Sequence, residues 1–202
     1  MAVTIDLVQD TVCPWCRIGK KNLDDALANV EGEQPVVRYH PFFLRPEMPD
    51  AGRDFGEHMR TVAGQDNFEP LLLRTSNIGL QSGLTFNWDR VKRMPNTLLS
   101  HAFVLSAPDE EQGRVLDRVH RAYFEEGIDI GKKEALVAMA DGLPVDLAKL
   151  DDEGFLDDVA GRAEAARGQG ITGVPLFIFN QQTALSGAQP PSVLLEAIEA
   201  GR

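Results

Sequence analysis

The chain holds two cysteines, Cys13 and Cys16, in the run Cys13-Pro14-Trp15-Cys16. A thiolate is the species that attacks a disulfide, and a second thiol three residues further along a helix lies one turn away, where it can close a small ring and expel the bound partner. The run suits that chemistry if Cys13 stands at a helix N-terminus. Unsatisfied backbone N–H groups and the positive end of the helix dipole there favour thiolate over thiol. Arg17, Lys20 and Lys21 follow and would add positive potential, although a solvated basic helix face is the commoner origin of such a cluster. Two other readings compete. Structural zinc usually needs a second ligand pair, yet there is no other cysteine, and His40, His58, His101 and His120 are scattered without ligand spacing. Two inert buried cysteines are a common arrangement too. Redox chemistry is the stronger reading, so Cys13 and Cys16 are the candidate catalytic pair and no metal site is expected.

A second feature is Thr172-Gly173-Val174-Pro175, just ahead of an apolar run. On local sequence alone Pro175 would be an ordinary trans proline leading into a strand. The neighbouring Gly168-Gln169-Gly170-Ile171-Thr172-Gly173 is a literal G-x-G-x-x-G, but it follows a helical pattern and precedes a strand. The dinucleotide motif has the opposite polarity, so no nucleotide site is expected there. Arg93-Met94-Pro95-Asn96-Thr97 reads first as a helix start. The acidic runs at Asp109-Glu110-Glu111, Asp151-Asp152-Glu153 and Asp157-Asp158 lack calcium-loop spacing and read as solvated helix starts or faces. His40 and His101 could neighbour the thiols, but lone histidines are more often packing or surface residues.

The elements that must position the thiols follow from periodicity. Residues 3–8 alternate weakly and are β-branched, which predicts a strand. Pro14 suits a first helical position, and Ile18, Leu23, Ala26, Leu27 and Val30 supply an apolar face for a helix to about Asn29. Val36-Val37-Arg38-Tyr39-His40 predicts a second strand, parallel to the first, because strand–helix–strand within so few residues is a βαβ unit. From about 50 to 168 the pattern turns helical, with helices outlined by Leu98 to Ser106, Leu116 to Phe124, Leu136 to Ala140 and Phe155 to Arg167. Gly and Pro cluster at 46–56 and 141–144, where loops are expected. Leu176-Phe177-Ile178-Phe179 predicts a strand, Thr183-Ala184-Leu185-Ser186 its hairpin partner, and Pro190-Pro191 opens a last helix. The expected architecture is α/β: one sheet domain from residues 1–48 and 169–202, split by a helical insertion over 49–168.

Composition narrows the function classes. The chain has 202 residues, enough to bury an apolar core without staples. Lys and Arg number 20 against 31 Asp and Glu, a formal charge of −11, which argues against nucleic acid and anionic membrane surfaces. No window approaches a membrane span. The first residues lack the basic and apolar regions of a signal peptide, so a cytoplasmic location is expected.

The strand, Cys13-Pro14-Trp15-Cys16 and helix start, the helical insertion, and Thr172-Gly173-Val174-Pro175 together resemble the DsbA family of the thioredoxin superfamily. Ser186-Gly187-Ala188-Gln189-Pro190-Pro191 and Arg93-Met94-Pro95-Asn96-Thr97 resemble more narrowly its cytosolic FrnE-like branch, related to 2-hydroxychromene-2-carboxylate isomerase and the kappa-class glutathione transferases. The resemblance runs from Val3 to about Ile198. It implies a thioredoxin-like fold, a cis Pro175 lying against the cysteines, and Val174 offering backbone hydrogen bonds to an extended substrate by strand addition. Pro14 and Trp15 would contact substrate, Trp15 as an apolar lip beside Cys13. The implied activity is disulfide exchange on protein or small-molecule disulfides and dithiols, with Cys13 attacking and Cys16 resolving. It implies no tightly bound cofactor, with glutathione a candidate redox partner. The secreted oxidases of the family often carry a histidine between the cysteines; Pro14-Trp15 here gives no reason to expect a powerful oxidant. The competing activity is glutathione-dependent isomerisation or transfer on the same fold, against which the retention of both cysteines counts.

Overall fold

A computed structural model describes residues 2–202; Met1, the first residue of the stretch read above for a signal peptide, lies outside them. Strand β1 (Thr4–Gln9) leads through a short loop into helix α1 (Pro14–Leu27), and strand β2 (Val36–Pro41) returns parallel to β1, with Ile5 opposite Val37 and Leu7 opposite Tyr39. A two-residue strand β3 (Arg53–Asp54) pairs antiparallel with β4 (Arg93–Met94), and between them lie helices α2 (Phe55–Ala63) and α3 (Glu69–Gln81). Helices α4 (Leu98–Leu105), α5 (Gln112–Arg121), α6 (Lys133–Ala138) and α7 (Glu153–Gly168) follow. The chain closes with strands β5 (Leu176–Phe179) and β6 (Thr183–Ser186) and helix α8 (Pro191–Ala200).

The main sheet has the order β2-β1-β5-β6, with β5 antiparallel to both its neighbours. Its central strand β1 is buried on both faces: Ile5 and Leu7 point one way and Val8 and Gln9 are also inaccessible. Helices α1 and α8 pack against each other, and α7 packs on β2 and α4. One continuous apolar core joins Ile5, Leu7 and Phe177 of the sheet to Phe103, Leu116 and Phe124 of the helical stretch. The fold is thus α/β with a mixed sheet and a large helical insertion between β2 and β5.

Two details go beyond the periodicity. The helical pattern expected over 116–124 is α5 continued by a π-helical turn at Ala122–Glu126, closed by Gly127 at a φ of 72°. Any Cβ on Gly127 would stand 2.3 Å from the Arg90 carbonyl oxygen, so both the backbone angle and the close approach require glycine. The expected helix start at 93–97 holds at its end: Asn96 Oδ1 accepts from Leu98 N–H at 3.0 Å, and Asn96 Nδ2 donates to the Met48 carbonyl at 2.8 Å. Its first two residues form β4 instead, because Phe55 N–H reaches across to the Lys92 carbonyl and draws that segment into a short ladder.

Candidate active site

Cys13 ends the loop after β1 and caps α1, with extended backbone angles (φ −85°, ψ 114°) and Pro14 at the first helical position. Its N–H donates to the Asp10 carbonyl at 3.0 Å, while its own carbonyl accepts from Cys16 and Arg17 N–H. The two cysteines come within 3.5 Å of each other. Both are free thiols here, and their surroundings differ. Cys13 borders a cavity, and its thiol donates weakly to the Val174 carbonyl at 3.8 Å. Cys16 is sealed at 0% exposure, and the Asp10 N–H donates to its sulfur at 3.4 Å. Burial, followed by the neighbouring Cys13, pushes the Cys16 thiol well above the ordinary thiol range.

The loop that faces the thiols comes from the far end of the chain. Pairing of Val8 with Leu176 brings Pro175 beside the end of β1, and the Val174–Pro175 peptide is cis, the form that the family resemblance implies and local sequence alone does not. Gly19 makes the approach of α1 to this loop close: a Cβ there would lie 2.9 Å from Pro175 Cγ and 3.1 Å from Phe177 Cζ. Among the described residues the Val174 N–H has no hydrogen-bond partner, whereas the Pro175 carbonyl accepts from Gly187 N–H at 2.8 Å. Pro14 and Trp15 both line the cavity beside Cys13.

The structure also brings Asp10 beneath Cys16, a residue that no motif in the sequence singles out. Asp10 is 1% exposed; its Oδ2 accepts from Leu44 N–H at 2.8 Å and its Oδ1 faces His101 Nε2 at 3.3 Å. Next to it, Thr11 and Ser100 share a buried hydrogen bond of 2.7 Å. The loop carrying the thiols is therefore tied to the start of α4 by two polar contacts. His101 does neighbour the site; His40 does not, and pairs instead with Asp6 at 2.8 Å on the sheet. His120 is buried, both its ring nitrogens unpartnered among the described residues, and burial drives its pKa well below the usual imidazole value, so its ring is neutral.

The basic residues after Cys16 are not a solvated face. Arg17 is 6% exposed, its guanidinium 5.0 Å from the Phe86 ring centre, donating to the Thr85 carbonyl at 2.7 Å and paired with Glu125. Burial lowers its pKa, opposed by Glu125. Lys20 is 4% exposed and bridges Asp24 and Asp117. Only Lys21 stays in solvent, and it pairs with Asp25. Each of these charges is met by a carboxylate, so the three do not act as free positive potential at Cys13.

The cavity beside Cys13 measures about 330 Å³, within the size range of small-ligand sites. Phe55, Trp88, Leu72 and Tyr123 form its apolar wall. Trp88 stacks on Phe55 and Phe86 at 5.9 and 5.3 Å, and its indole N–H donates to Ser76 Oγ at 2.9 Å, which fixes the ring. Arg45, His58 and Arg74 are its basic members, and the Arg74 guanidinium lies 5.8 Å from the Trp15 ring centre. Most of this wall comes from α2, α3 and the segment after them, which periodicity near the cysteines could not have identified. Among the described residues no group of three or more His, Cys, Asp or Glu side chains is placed to hold a metal ion, and no helix is long and apolar enough to cross a membrane.

Comparison with known proteins agrees with this geometry. The model of the DSBA-like thioredoxin domain matches residues 4–199. The uncharacterized protein YwbO of Bacillus subtilis (strain 168) is 27% identical over 204 residues, covering 98% of this chain and 96% of that protein. Among solved structures, the probable DsbA oxidoreductase of Streptomyces coelicolor superposes with a TM-score of 0.82 at 24% identity, covering 98% of this chain and 89% of its own. The cytosolic disulfide reductase DsbM of Pseudomonas aeruginosa, solved with GSH, gives 0.67 at 23% identity, covering 98% of both chains. A 2-hydroxychromene-2-carboxylate isomerase gives 0.69 at 14% identity, covering 98% of this chain and 95% of its own. With the family model spanning nearly every residue from β1 to α8, this chain belongs to the DSBA-like thioredoxin domain family.

Proposed function

We propose that the protein is a cytoplasmic thiol–disulfide oxidoreductase that works through Cys13-Pro14-Trp15-Cys16. The observation that carries this is the asymmetry of the pair: two thiols within 3.5 Å, one bordering a cavity and one sealed beneath it. Cys13 attacks a substrate disulfide as the thiolate, forming a bond to one substrate sulfur and releasing the other as a thiolate. Cys16 loses its proton and attacks Cys13 Sγ, which releases the second substrate thiolate and leaves Cys13–Cys16 as the disulfide. Two electrons pass from the protein to the substrate; run backwards, the same steps oxidise a dithiol. An extended substrate would displace the Cys13 thiol from the Val174 carbonyl and take the free Val174 N–H, with Pro175 shaping the floor and Pro14 and Trp15 the rim. In this reading residues 1–48 and 169–202 carry the thiols and the Val174-Pro175 loop, and the insertion over 49–168 supplies the cavity wall. Glutathione is the candidate redox partner, and protein or small-molecule disulfides are the substrates.

The largely apolar cavity beside Cys13 favours a second reading, glutathione-dependent isomerisation or transfer on a small molecule. Equilibration in glutathione buffers with counting of free thiols separates the two. A reversible two-electron transition of Cys13 and Cys16 is expected. Thiols that never pair, together with glutathione binding to a Cys13→Ser, Cys16→Ser protein, would transfer the assignment to the second reading.

A further inference from the structure

The chain has 31 acidic residues against 20 Lys and Arg, yet no carboxylate lines the cavity beside Cys13, while Arg45, His58 and Arg74 do. Among the described residues neither Arg45 nor Arg74 has a carboxylate within ion-pair distance; Glu47 acts electrostatically on His58 but does not line the cavity. The charge of Arg74 is held over Trp15 inside the thiol motif itself. Against these cations stands an apolar, aromatic wall built from Phe55, Trp88 and Leu72.

From this juxtaposition we infer that the preferred substrates are small organic disulfides with an aromatic or similarly bulky apolar body bearing a carboxylate, the body seated in the cavity and the carboxylate met by Arg74 and Arg45. This rests on the disulfide-exchange reading of Cys13. The apolar wall desolvates the ring, which a charged aliphatic disulfide cannot exploit, and the two guanidiniums reward an anion that a neutral ring lacks. Charge complementarity of this kind acts on the rate of productive encounter as much as on affinity. The chemistry is the exchange already given: Cys13 Sγ bonds to one substrate sulfur, the substrate S–S bond breaks, and an aromatic thiolate leaves; Cys16 then attacks Cys13 Sγ and frees the second.

The test uses the full chain, reduced with dithiothreitol and desalted, and three probes: dithiobis(2-nitrobenzoate), which is aromatic and anionic; 4,4′-dithiodipyridine, aromatic and uncharged; and glutathione disulfide, anionic and aliphatic. Because the leaving groups differ, each variant is read as its rate relative to wild type with the same probe. Arg74→Gln and Arg45→Gln should each slow the anionic aromatic probe about threefold, and together about tenfold, with the uncharged probe held within twofold. Leu72→Trp, which adds bulk to the wall, should slow both aromatic probes and spare glutathione disulfide. Arg38→Gln, an exposed arginine on β2 outside the cavity, is the control for overall charge and should change none of the three. Equal slowing of charged and uncharged probes by the arginine variants, or the same loss from Arg38→Gln, overturns the inference. Failure of wild type to react with any probe would instead remove the disulfide-exchange reading on which it rests.

Discussion

Helix α1 separates two recesses that differ in size and in kind. On the Cys13 side lies the cavity of about 330 Å³, whose wall is apolar and whose two arginines lack carboxylate partners among the described residues. Around Arg17 and Lys21 lies a larger recess of about 510 Å³, lined by Arg17, Lys21, Arg114, Arg118 and Arg121. Every one of those five cations has a carboxylate: Glu125, Asp25, Glu111, and Glu126 twice. Arg118 meets Glu126 bidentately at 3.0 and 3.1 Å. Volume is therefore a poor guide to function in this molecule. The larger recess is a seam whose charges are neutralised in place: Arg17 of α1 reaches Glu125 of the π-helical turn, Lys21 is met by Asp25 on α1 itself, and the three arginines of α5 are met by Glu111 and Glu126. The smaller one retains uncompensated charge next to a reactive atom, which is what a site for an outside ligand requires.

The sharpest way to break that contrast is to remove one function from each side. Cys13→Ser should abolish turnover while leaving stability nearly untouched, and Cys16→Ser should accumulate covalent mixed disulfides, read by mass spectrometry. Equal residual activity in the two variants would mean that the roles are misassigned. On the other side, Asp24→Asn combined with Asp117→Asn strands the Lys20 ammonium, 4% exposed, without a counter-charge. Leaving a buried charge unpaired costs about 3 kcal/mol. Urea unfolding should show that loss, with the rate of Cys13 toward a model disulfide unchanged. A loss below about 1 kcal/mol would show that the seam is not held by its ion pairs.

A pH series tests the same seam from its buried end. Burial pushes the Tyr39 hydroxyl up to about 12, opposed by Lys20, so the folded protein keeps this proton over a range in which the unfolded chain gives it up. The folded state then binds more protons than the unfolded one, and stability must fall as pH rises from about 10 through about 12. The loss attributable to Tyr39 is about 2–3 kcal/mol at its limit. Lys20 is held protonated by Asp117 and Asp24 in spite of burial, and its share is lost in an overlapping window. Tyr39→Phe should therefore flatten part of the alkaline slope and leave the remainder. An unchanged slope in that variant would mean that the hydroxyl titrates as freely as in the unfolded chain.

The same two recesses show what was legible in the sequence. Elements that depend on short-range periodicity, β1, α1, β2, the β5–β6 hairpin and α8, are readable because Pro14, Pro41 and Pro191 mark their ends and their apolar faces are regular. Helices α2 and α3 are harder: Val62, Leu71, Leu73 and Leu80 are apolar yet 42–63% exposed, which blurs any single buried face. The basic run after Cys16 reads as a solvated face because nothing local reveals its partners. Asp117 and Glu125 lie 97 and 108 residues from Lys20 and Arg17, and only the tertiary fold brings them in. The Cys-x-x-Cys spacing and the Val174-Pro175 loop are likewise local signals, and pairing of β1 with β5 sets them side by side. The wall opposite Cys13, with Arg74, His58 and Trp88, comes from separate elements of the insertion and carries no motif at all.

The finest distinction lies between the two thiols themselves. In the proposed exchange the first step falls on Cys13, which is 4% exposed and borders the cavity. The second needs a proton to leave Cys16, which is sealed at 0% exposure and whose thiol is pushed up by burial and by Cys13. The acidic group placed beneath it is Asp10, whose carboxylate is held by Leu44 N–H and His101. Asp10→Asn keeps the size, the Leu44 contact and the peptide N–H that reaches Cys16; it removes the carboxylate as a proton acceptor and, with it, a negative charge that helps raise the Cys16 thiol, a loss that by itself would ease deprotonation of Cys16. If Asp10 accepts that proton, the variant should resolve its mixed disulfide about tenfold more slowly, within the usual range for a positioned general base, and recover as the pH is raised. Its first step should match wild type. His101→Gln, which preserves a hydrogen bond to Asp10, separates charge from scaffold: a rate near wild type there, with Asp10→Asn slow, places the effect on the carboxylate. Equal resolving rates and pH profiles in Asp10→Asn and wild type would leave Asp10 with the single role of tying the thiol loop to α4.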